Sequence, residues 1–158
     1  MKIYVVDFEQ VLKIFTPYHE SLILIQTEKD KFAGQIEQIK KEMEGIISTS
    51  RLIIDEKSQM EQATRFKELQ GKAIKLESEF RAEIVDIQNG ELEKNFNQVS
   101  EIVQDWSKIA GIDLVLNKTQ TLFVDSKLDA TESIIEVLKN KNLYQEYKES
   151  ELLSQETE

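Results

Sequence analysis

The chain has 158 residues with 20 Lys or Arg against 30 Asp or Glu, which gives a formal net charge of −10. It contains no Cys, so disulfides, cysteine–zinc sites, iron–sulfur clusters and thiol nucleophiles are excluded. A chain this acidic lacks the basic face of a duplex-binding protein, so nucleic acid is not an expected partner. The longest aliphatic run is Leu22–Ile25, and we expect no integral membrane segment because a span needs about 20 apolar residues.

The first predicted elements are a short strand and a short helix. Residues 3–6, Ile-Tyr-Val-Val, are β-branched or aromatic and apolar on both faces, which predicts a buried strand. Asp7 then precedes an apolar face over residues 8–15. This pattern predicts a helix with Asp7 as its N-cap and Gln10 as the capping-box partner.

The long middle of the chain predicts two helices. Thr16–Pro17 is typical of a helix start, with the threonine as N-cap and the proline in the first helical position. Apolar residues then recur every three or four positions, as in a coiled coil, with a slip of one residue near Gly90. One helix of this length is unusual, so the polar stretch 48–62 predicts the turn of an antiparallel hairpin. The apolar positions are Leu22, Ile25, Phe32, Ile36, Ile39, Met43 and Ile46, then Phe66, Leu69, Ala73, Leu76, Phe80, Ile84 and Ile87, then Leu92, Phe96, Val99, Val103, Trp106 and Ala110.

The last third returns to strands. Gly111 predicts the end of the helix, followed by a β-hairpin with strands at 112–116 and 121–124. Asp129 predicts the cap of a second short helix, with Glu132 completing the capping box. From Lys141 the sequence is polar and acidic, which predicts a frayed helical tail.

These elements predict an α+β protein that is mostly α. Residues 1–16 and 111–140 form a β-rich body, residues 17–110 a helical hairpin arm, and residues 141–158 an acidic tail. Three strands leave exposed edges, so we expect copies of the chain to pool their strands in a small barrel, from which the arms project. The residues expected in this assembly body are Ile3, Val5, Leu114, Leu116, Leu122 and Val124.

No group of residues predicts an enzyme. His19 is the only histidine, no glycine-rich phosphate loop is present, and the acidic residues are interleaved with basic ones as on a solvated helix face. We therefore predict no catalytic residue, no metal site and no cofactor. Trp106 lies near the base of the predicted arm, where packing is favoured over ligand stacking.

Motifs at both ends of the chain resemble one known family. The C-terminal block combines Ala110–Asn117, Leu122–Asp125 and Asp129–Lys139, and the N-terminal block is Lys2–Asp7 with Val11–Leu12. Over residues 2–140 the chain resembles the Skp (OmpH) family of chaperones. The resemblance implies a homotrimeric, ATP-independent holdase whose strands build a central barrel. It also implies a cavity between the arms that receives unfolded or partly folded clients, chiefly outer-membrane β-barrel proteins in transit through the periplasm.

The resemblance also assigns roles on the arm. Its apolar residues form the hairpin core, touch clients, or do both; the candidates are Phe32, Ile36, Phe66, Phe80 and Phe96. The basic tip comprises Arg51, Lys57, Arg65 and Lys67. In the family such tips contact clients or lipid headgroups, but a charged tip is also what a solvent-exposed turn needs, and both interpretations stay open here. As written, the sequence has no signal peptide and predicts a cytoplasmic protein, or a periplasmic one if a leader has been removed.

Two other architectures share parts of this pattern. Prefoldin also has helical arms on a barrel, but its strands lie between its helices, whereas here they flank the helical pair. The second alternative is a trimeric coiled-coil structural or adaptor protein, such as a phage-encoded one. Stable binding to one specific folded partner would favour this alternative, and promiscuous suppression of aggregation would favour the chaperone.

Overall fold

The computed structural model describes residues 1–147, and this part of the chain is mostly helical with one pair of strands. The elements in chain order are β1 (Ile3–Val6), α1 (Phe8–Lys13), α2 (Thr16–Ser50), α3 (Glu56–Ala110), β2 (Leu114–Asn117) and α4 (Thr131–Asn140). Within the described part, no helix combines the length and the apolar character needed to cross a bilayer.

The chain divides into two compact units. We call residues 1–24, together with those from 89 onward, the terminal unit. Residues 25–88 are the helical unit. The terminal unit contains both strands, α1 and α4, and the outer ends of α2 and α3.

The strand pair of the terminal unit differs from the predicted hairpin. β2 pairs with β1 in parallel, with Ile3 opposite Leu114 and Val6 opposite Asn117. Residues 118–120 form a 3-10 turn, and residues 121–124 form no strand, so the predicted second strand of the hairpin is wrong for the single chain. The reason is that strand propensity needs a hydrogen-bonding partner, and the chain leaves β2 without turning back along it.

The two faces of the strand pair have different surroundings, because side chains alternate along a strand. Tyr4, Val6 and Val115 belong to the hydrophobic core of the terminal unit. Strands from both ends of the chain and the end of α3 meet around this core. Its fully or nearly buried members are Val6, Val11, Phe15, Val99, Val103, Ala130, Ile134 and Leu138.

Asp7 caps α1 as predicted. Its carboxylate accepts the Gln10 N–H at 3.0 Å, while its own N–H donates to the Thr131 hydroxyl at 2.9 Å. The predicted cap of α4 is displaced by one residue. Asp129 accepts the N–H of Thr131 at 3.0 Å, and Ala130 occupies the formal cap position without a side-chain bond.

The ends of α3 and α4 share one capping geometry. Gly111 has φ +66°, and the following Ile112 N–H donates to the Ser107 carbonyl at 2.9 Å. Asn142 has φ 55°, and the Leu143 N–H donates to the Leu138 carbonyl at 2.9 Å. Both are Schellman motifs, in which a left-handed residue closes the last helical turn. The prediction for Gly111 is confirmed.

The segment after Asn142 is not the frayed helix that the sequence predicts. The Thr16 N–H donates to the Leu143 carbonyl at 2.9 Å, and the Gln145 N–H donates to the Ile14 carbonyl at 2.8 Å. Leu143 and Tyr144 also pack against the core. This apolar packing holds the segment extended, and the rest of the predicted tail, residues 148–158, lies outside the described residues.

In the helical unit, α2 and α3 run antiparallel. Phe32 stacks on Phe80 with ring centroids 3.8 Å apart, and Glu42 pairs with Arg65 at 3.2 Å nearer the turn. Every apolar position predicted for this stretch, from Ile25 to Ile87, is buried or half-buried. The three most buried are Ile39, Leu69 and Ile84.

The turn occupies residues 51–55, inside the predicted range. Ser48, Thr49 and Ser50 bond back to carbonyls three or four residues earlier, which competes with helix continuation. Asp55 starts α3 by accepting both the N–H and the hydroxyl of Ser58, at 3.0 and 2.7 Å. These bonds favour the charged carboxylate and hold the pKa of Asp55 below 3.8.

Candidate functional site

The outer face of the strand pair is the first candidate surface. Ile3, Val5, Leu114 and Leu116 lie opposite the core face and form a continuous aliphatic patch. Leu114 and Leu116 are 43% and 38% exposed, while Val5 is buried. The patch contains four of the six residues predicted for the assembly body.

The segment 121–124 adds further apolar surface in the terminal unit. Leu122 is fully exposed and Phe123 is 86% exposed, whereas Val124 is half-buried. A fully exposed Leu–Phe pair in a segment with strand propensity is unusual, because large apolar side chains normally find cover. Sequence reasoning selected Leu122 and Val124 here but omitted Phe123.

A polar network links the 3-10 turn after β2 to the start of α4. The Lys118 ammonium donates to the Asp129 carboxylate at 2.7 Å, which raises the pKa of Lys118. Partial burial opposes the charged form of Asp129, but hydrogen bonds from Lys118 and Thr131 outweigh it, so the pKa of Asp129 lies below 3.8. This network holds residues 118 and 129 together beside the exposed segment.

The predicted arm residues fall into two groups. Phe32 and Phe80 cover each other's rings, and Ile36 and Phe66 are half-buried in the α2–α3 interface. Phe96 is different, since it is 44% exposed and its ring centroid lies 5.2 Å from that of Phe8 in the terminal unit. The phenylalanines of the helical unit are therefore mainly occupied by packing.

A second apolar stripe on α3 was not found from the sequence. Met60, Ile74 and Val85 are 68%, 65% and 52% exposed. Their spacings of 14 and 11 residues place them on one side of α3, about 140° around the helix from the positions that face α2. Gly71, Ser78 and Lys67 share this side, and the charged residues Glu56 and Arg81 lie one turn before Met60 and Val85. A search for apolar residues that share a helix side at spacings of both 11 and 14 residues would have found the stripe.

The turn of the helical unit presents a mixed surface. All four predicted tip residues are exposed: Arg51, Lys57, Arg65 and Lys67. Arg65 is the one among them that forms ion pairs in the described structure, with Glu42 and Glu68. Leu52 and Ile54 are 82% and 97% exposed, so the turn also offers apolar groups that the sequence analysis did not select.

The register predicted after Gly90 is wrong at Leu92 and Phe96, which are exposed, and right at Val99 and Val103, which are buried. The same side of α3 continues toward the interior, and it carries Glu91, Asn95 and Gln98 in place of apolar residues. Asn95 is 1% exposed, whereas Leu92 is 53% exposed. Ser21 of α2 accepts a bond from the Asn95 amide nitrogen and donates one to Glu91, whereas the buried side-chain oxygens of Asn95 and Gln98 have no partner within residues 1–147.

The two single residues weighed as ligand or catalytic groups, His19 and Trp106, take part in structural contacts. Within residues 1–147, no group of three metal-ligating side chains converges. The His19 imidazole Nε2 lies 2.7 Å from the Lys13 carbonyl, a bond that fastens the α1–α2 junction. The Trp106 ring meets the Tyr4 ring edge-on at 6.4 Å.

The comparisons with known proteins agree on one family and one fold. A family model described as "Outer membrane protein (OmpH-like)" matches residues 2–138. A crystal structure of a candidate outer membrane chaperone (OmpH-like) from Caulobacter crescentus matches with a TM-score of 0.74 and 10% identity, over 93% of this chain and 89% of the other. At this identity the likeness shows the fold alone. No curated protein matches.

Proposed function

Since the chain belongs to the OmpH-like family, whose members are chaperones and not enzymes, we propose that it is an ATP-independent holdase that acts as a homotrimer. In this proposal the terminal units assemble through their strands, and the helical units bind unfolded clients. The observation that carries the proposal is the presence of two separate exposed apolar surfaces on one chain, one in each unit.

The strand face supports assembly. Leu114 and Leu116 expose apolar surface beside a β2 edge that pairs with no further strand within residues 1–147, and Leu122 and Phe123 expose more. Contiguous patches of this kind mark interaction sites, and an open strand edge favours pairing with another chain. We propose that residues 121–124 become strands in the shared barrel, which would use the strand propensity that the single chain leaves unused.

A cyclic arrangement fits these features. The exposed Leu122–Phe123 pair and the β2 edge are different surfaces of one chain, so each copy can present one to its neighbour and receive the other. Contacts between unlike surfaces give a ring where the rotation between copies closes and an open filament where it does not, whereas a two-fold dimer pairs like with like. The homotrimer that the resemblance implies is a ring of this type.

The α3 stripe supports client binding. Met60, Ile74 and Val85 are medium-sized aliphatic or thioether side chains, and Gly71 and Ser78 between them leave room for a polypeptide to lie close. Each contact is non-directional and contributes at most about 1.5–3 kcal/mol when fully buried. Many such weak contacts retain an unfolded chain without trapping it, and none of them requires nucleotide hydrolysis.

The proposed client class is outer-membrane β-barrel proteins. Unfolded barrel strands alternate apolar and polar residues, so an apolar stripe with a basic neighbour can contact both kinds of side chain. Lys67 supplies that basic neighbour on α3. This assignment rests on the family and is the part of the proposal that a client comparison tests.

The proposal is tested by diluting a denatured client into buffer with and without the protein, in the absence of nucleotide, and following light scattering. One outer-membrane barrel protein and one unrelated water-soluble protein serve as clients. Suppression of both supports a general holdase, and suppression of the barrel protein alone supports the narrower client class. Suppression of neither by an intact trimer would contradict the proposal and favour the adaptor alternative, whose partner is a specific folded protein.

A further inference from the structure

A small cleft in the terminal unit combines aromatic and charged side chains in its lining. It lies between β1, the end of α3 and the start of α4, and its volume is about 250 Å³. This is below the usual range for drug-sized ligands, about 300–1,000 Å³, so it admits a small group only. The lining side chains that matter here are Lys2, Tyr4, Trp106, Lys127 and Asp129.

One wall of the cleft is aromatic. The Tyr4 and Trp106 rings meet edge-to-face, 84° apart, and both are only partly buried. An edge-to-face pair leaves ring surface available to a third planar or apolar group. The rest of the lining is mixed, since it includes the aliphatic Ala110 and Ile112 and the polar Ser133 and Asp129.

Three charged side chains line the cleft, and in the described part of the chain only Asp129 among them forms an ion pair. Asp129 is already engaged, by the Lys118 ammonium at 2.7 Å and by the Thr131 N–H. Within residues 1–147, neither the Lys2 nor the Lys127 ammonium is within 4 Å of a carboxylate. The nearest carboxylate to Lys2 is engaged as well, because Asp113 accepts the Lys2 backbone N–H at 2.6 Å. The cleft therefore offers two lysine side chains outside ion-pair distance beside an aromatic wall, on a chain whose net charge is −10.

We propose that this cleft binds the C-terminal carboxylate of a polypeptide whose last residue is apolar or aromatic. Lys2 and Lys127 would pair with the carboxylate, and the last side chain would lie against Tyr4 and Trp106. Capture of a chain terminus by a small polar recess is a known mode of peptide recognition. The inference rests on the proposed function, because a holdase encounters unfolded chains whose termini are free.

The position of the cleft is compatible with assembly. Tyr4 lies on the sheet face opposite Ile3 and Val5, which belong to the proposed trimer surface. Covering the outer face with neighbouring copies leaves the other side of β1 unchanged. A client terminus could be bound there in the trimer.

Trp106 is the only tryptophan and so reports on the cleft directly. The probe is the peptide acetyl-Ala-Ala-Phe as the free acid, compared with its C-terminal amide, titrated into the intact protein at low salt. We expect a saturable change in Trp106 emission, with the acid binding about tenfold more tightly than the amide. Exposed ion pairs contribute about 0.2–1 kcal/mol each, so Lys2→Gln and Lys127→Gln should each weaken acid binding about two- to fivefold.

Lys108→Gln is the matched control, because Lys108 lies on the same end of α3, is exposed, and does not line the cleft. It should bind the acid as the wild type does. Equal binding of acid and amide, or an unchanged Trp106 emission with both, would overturn the inference. The scattering assay separates the two proposals. If the protein suppresses client aggregation but does not bind the peptide, only the proposed carboxylate site is contradicted. If it binds the peptide but does not suppress aggregation, the proposed holdase function is contradicted.

Discussion

The amide of Asn95 on α3 donates a hydrogen bond to the hydroxyl of Ser21 on α2 at 2.9 Å, inside the terminal unit where both residues are buried. The same hydroxyl donates to the Glu91 carboxylate at 2.5 Å. A polar contact between two packed helices fixes which residues face each other, because any shift leaves the buried amide nitrogen of Asn95 unpaired.

Ser21→Ala should destabilise the protein by about 1–3 kcal/mol, because it leaves the Asn95 amide without its partner. The double variant Ser21→Ala/Asn95→Leu should recover part of this loss, since both partners become apolar. Denaturant unfolding followed by circular dichroism measures the coupling between the two sites. Ser78→Ala, on an exposed side of α3, is the control and should change stability little. Simple additivity of the two substitutions would contradict the argument.

The proposed assembly face yields a mass prediction. Leu114→Asp and Leu122→Asp each place a charge on surface that neighbouring copies would cover, so both should shift the protein from three chain masses toward one chain of 18.4 kDa. Light scattering coupled to size exclusion measures this at micromolar concentration.

Ile74→Asp is the matched control for these variants, because Ile74 is equally apolar, is 65% exposed and lies in the helical unit. It should leave the mass unchanged. A wild-type protein of one chain mass, or Asp variants that keep the wild-type mass, would show that the strand face is not the interface.

Local signals in the sequence predicted much of the fold. The strand at residues 3–6, the cap at Asp7 and the helix end at Gly111 follow from side chains acting on their immediate neighbours. The parallel pairing of β1 with β2 could not be predicted, because it joins segments more than 100 residues apart. Strand propensity at residues 121–124 predicts a hairpin, although no partner within the described part of the chain satisfies it.

The candidate surfaces also include some residues that local sequence patterns predicted and others that they did not. The outward residues of the strands follow from alternation and were predicted. The α3 stripe was missed because its members are sparse and the stronger heptad pattern concealed them. The interior role of Asn95 was missed because the apolar residues Leu92 and Phe96 continue the pattern, and the Ser21 bond that pairs its amide nitrogen is not visible in a sequence pattern.

Two glycines should respond oppositely to replacement by alanine. Gly45 lies within α2, and the position that a Cβ would take there has no neighbouring element within 4 Å, so Gly45→Ala should stabilise the protein by about 0.5–1 kcal/mol. Gly111 has φ +66°, where a Cβ costs about 1–2 kcal/mol, so Gly111→Ala should destabilise it. Thermal unfolding of both variants and of the wild type measures whether each substitution raises or lowers the stability. Shifts in the same direction would contradict the helix-end geometry.

The Lys118–Asp129 network predicts an acid dependence. The pKa of Asp129 is lower in the folded chain than the usual 3.8, so its contribution to stability is complete above the usual value and is lost as the pH falls through the folded value. Asp129→Asn should therefore flatten the stability curve below about pH 4. Glu132→Gln, which alters an exposed carboxylate in the first turn of α4, serves as the control. If Asp129→Asn leaves the pH dependence of stability unchanged, the Lys118–Asp129 ion pair does not contribute to it and the prediction is contradicted.

The central claim is that the exposed α3 stripe retains unfolded clients, and client aggregation in the presence of stripe variants tests it most directly. Ile74→Glu/Val85→Glu charges the stripe without touching the α2–α3 interface, and Lys75→Glu/Asp86→Lys changes exposed neighbouring charges as the control. At equal trimer concentration, the account predicts that the control suppresses scattering as the wild type does and that the stripe variant suppresses much less. A folded, trimeric stripe variant with full wild-type suppression would contradict the claim.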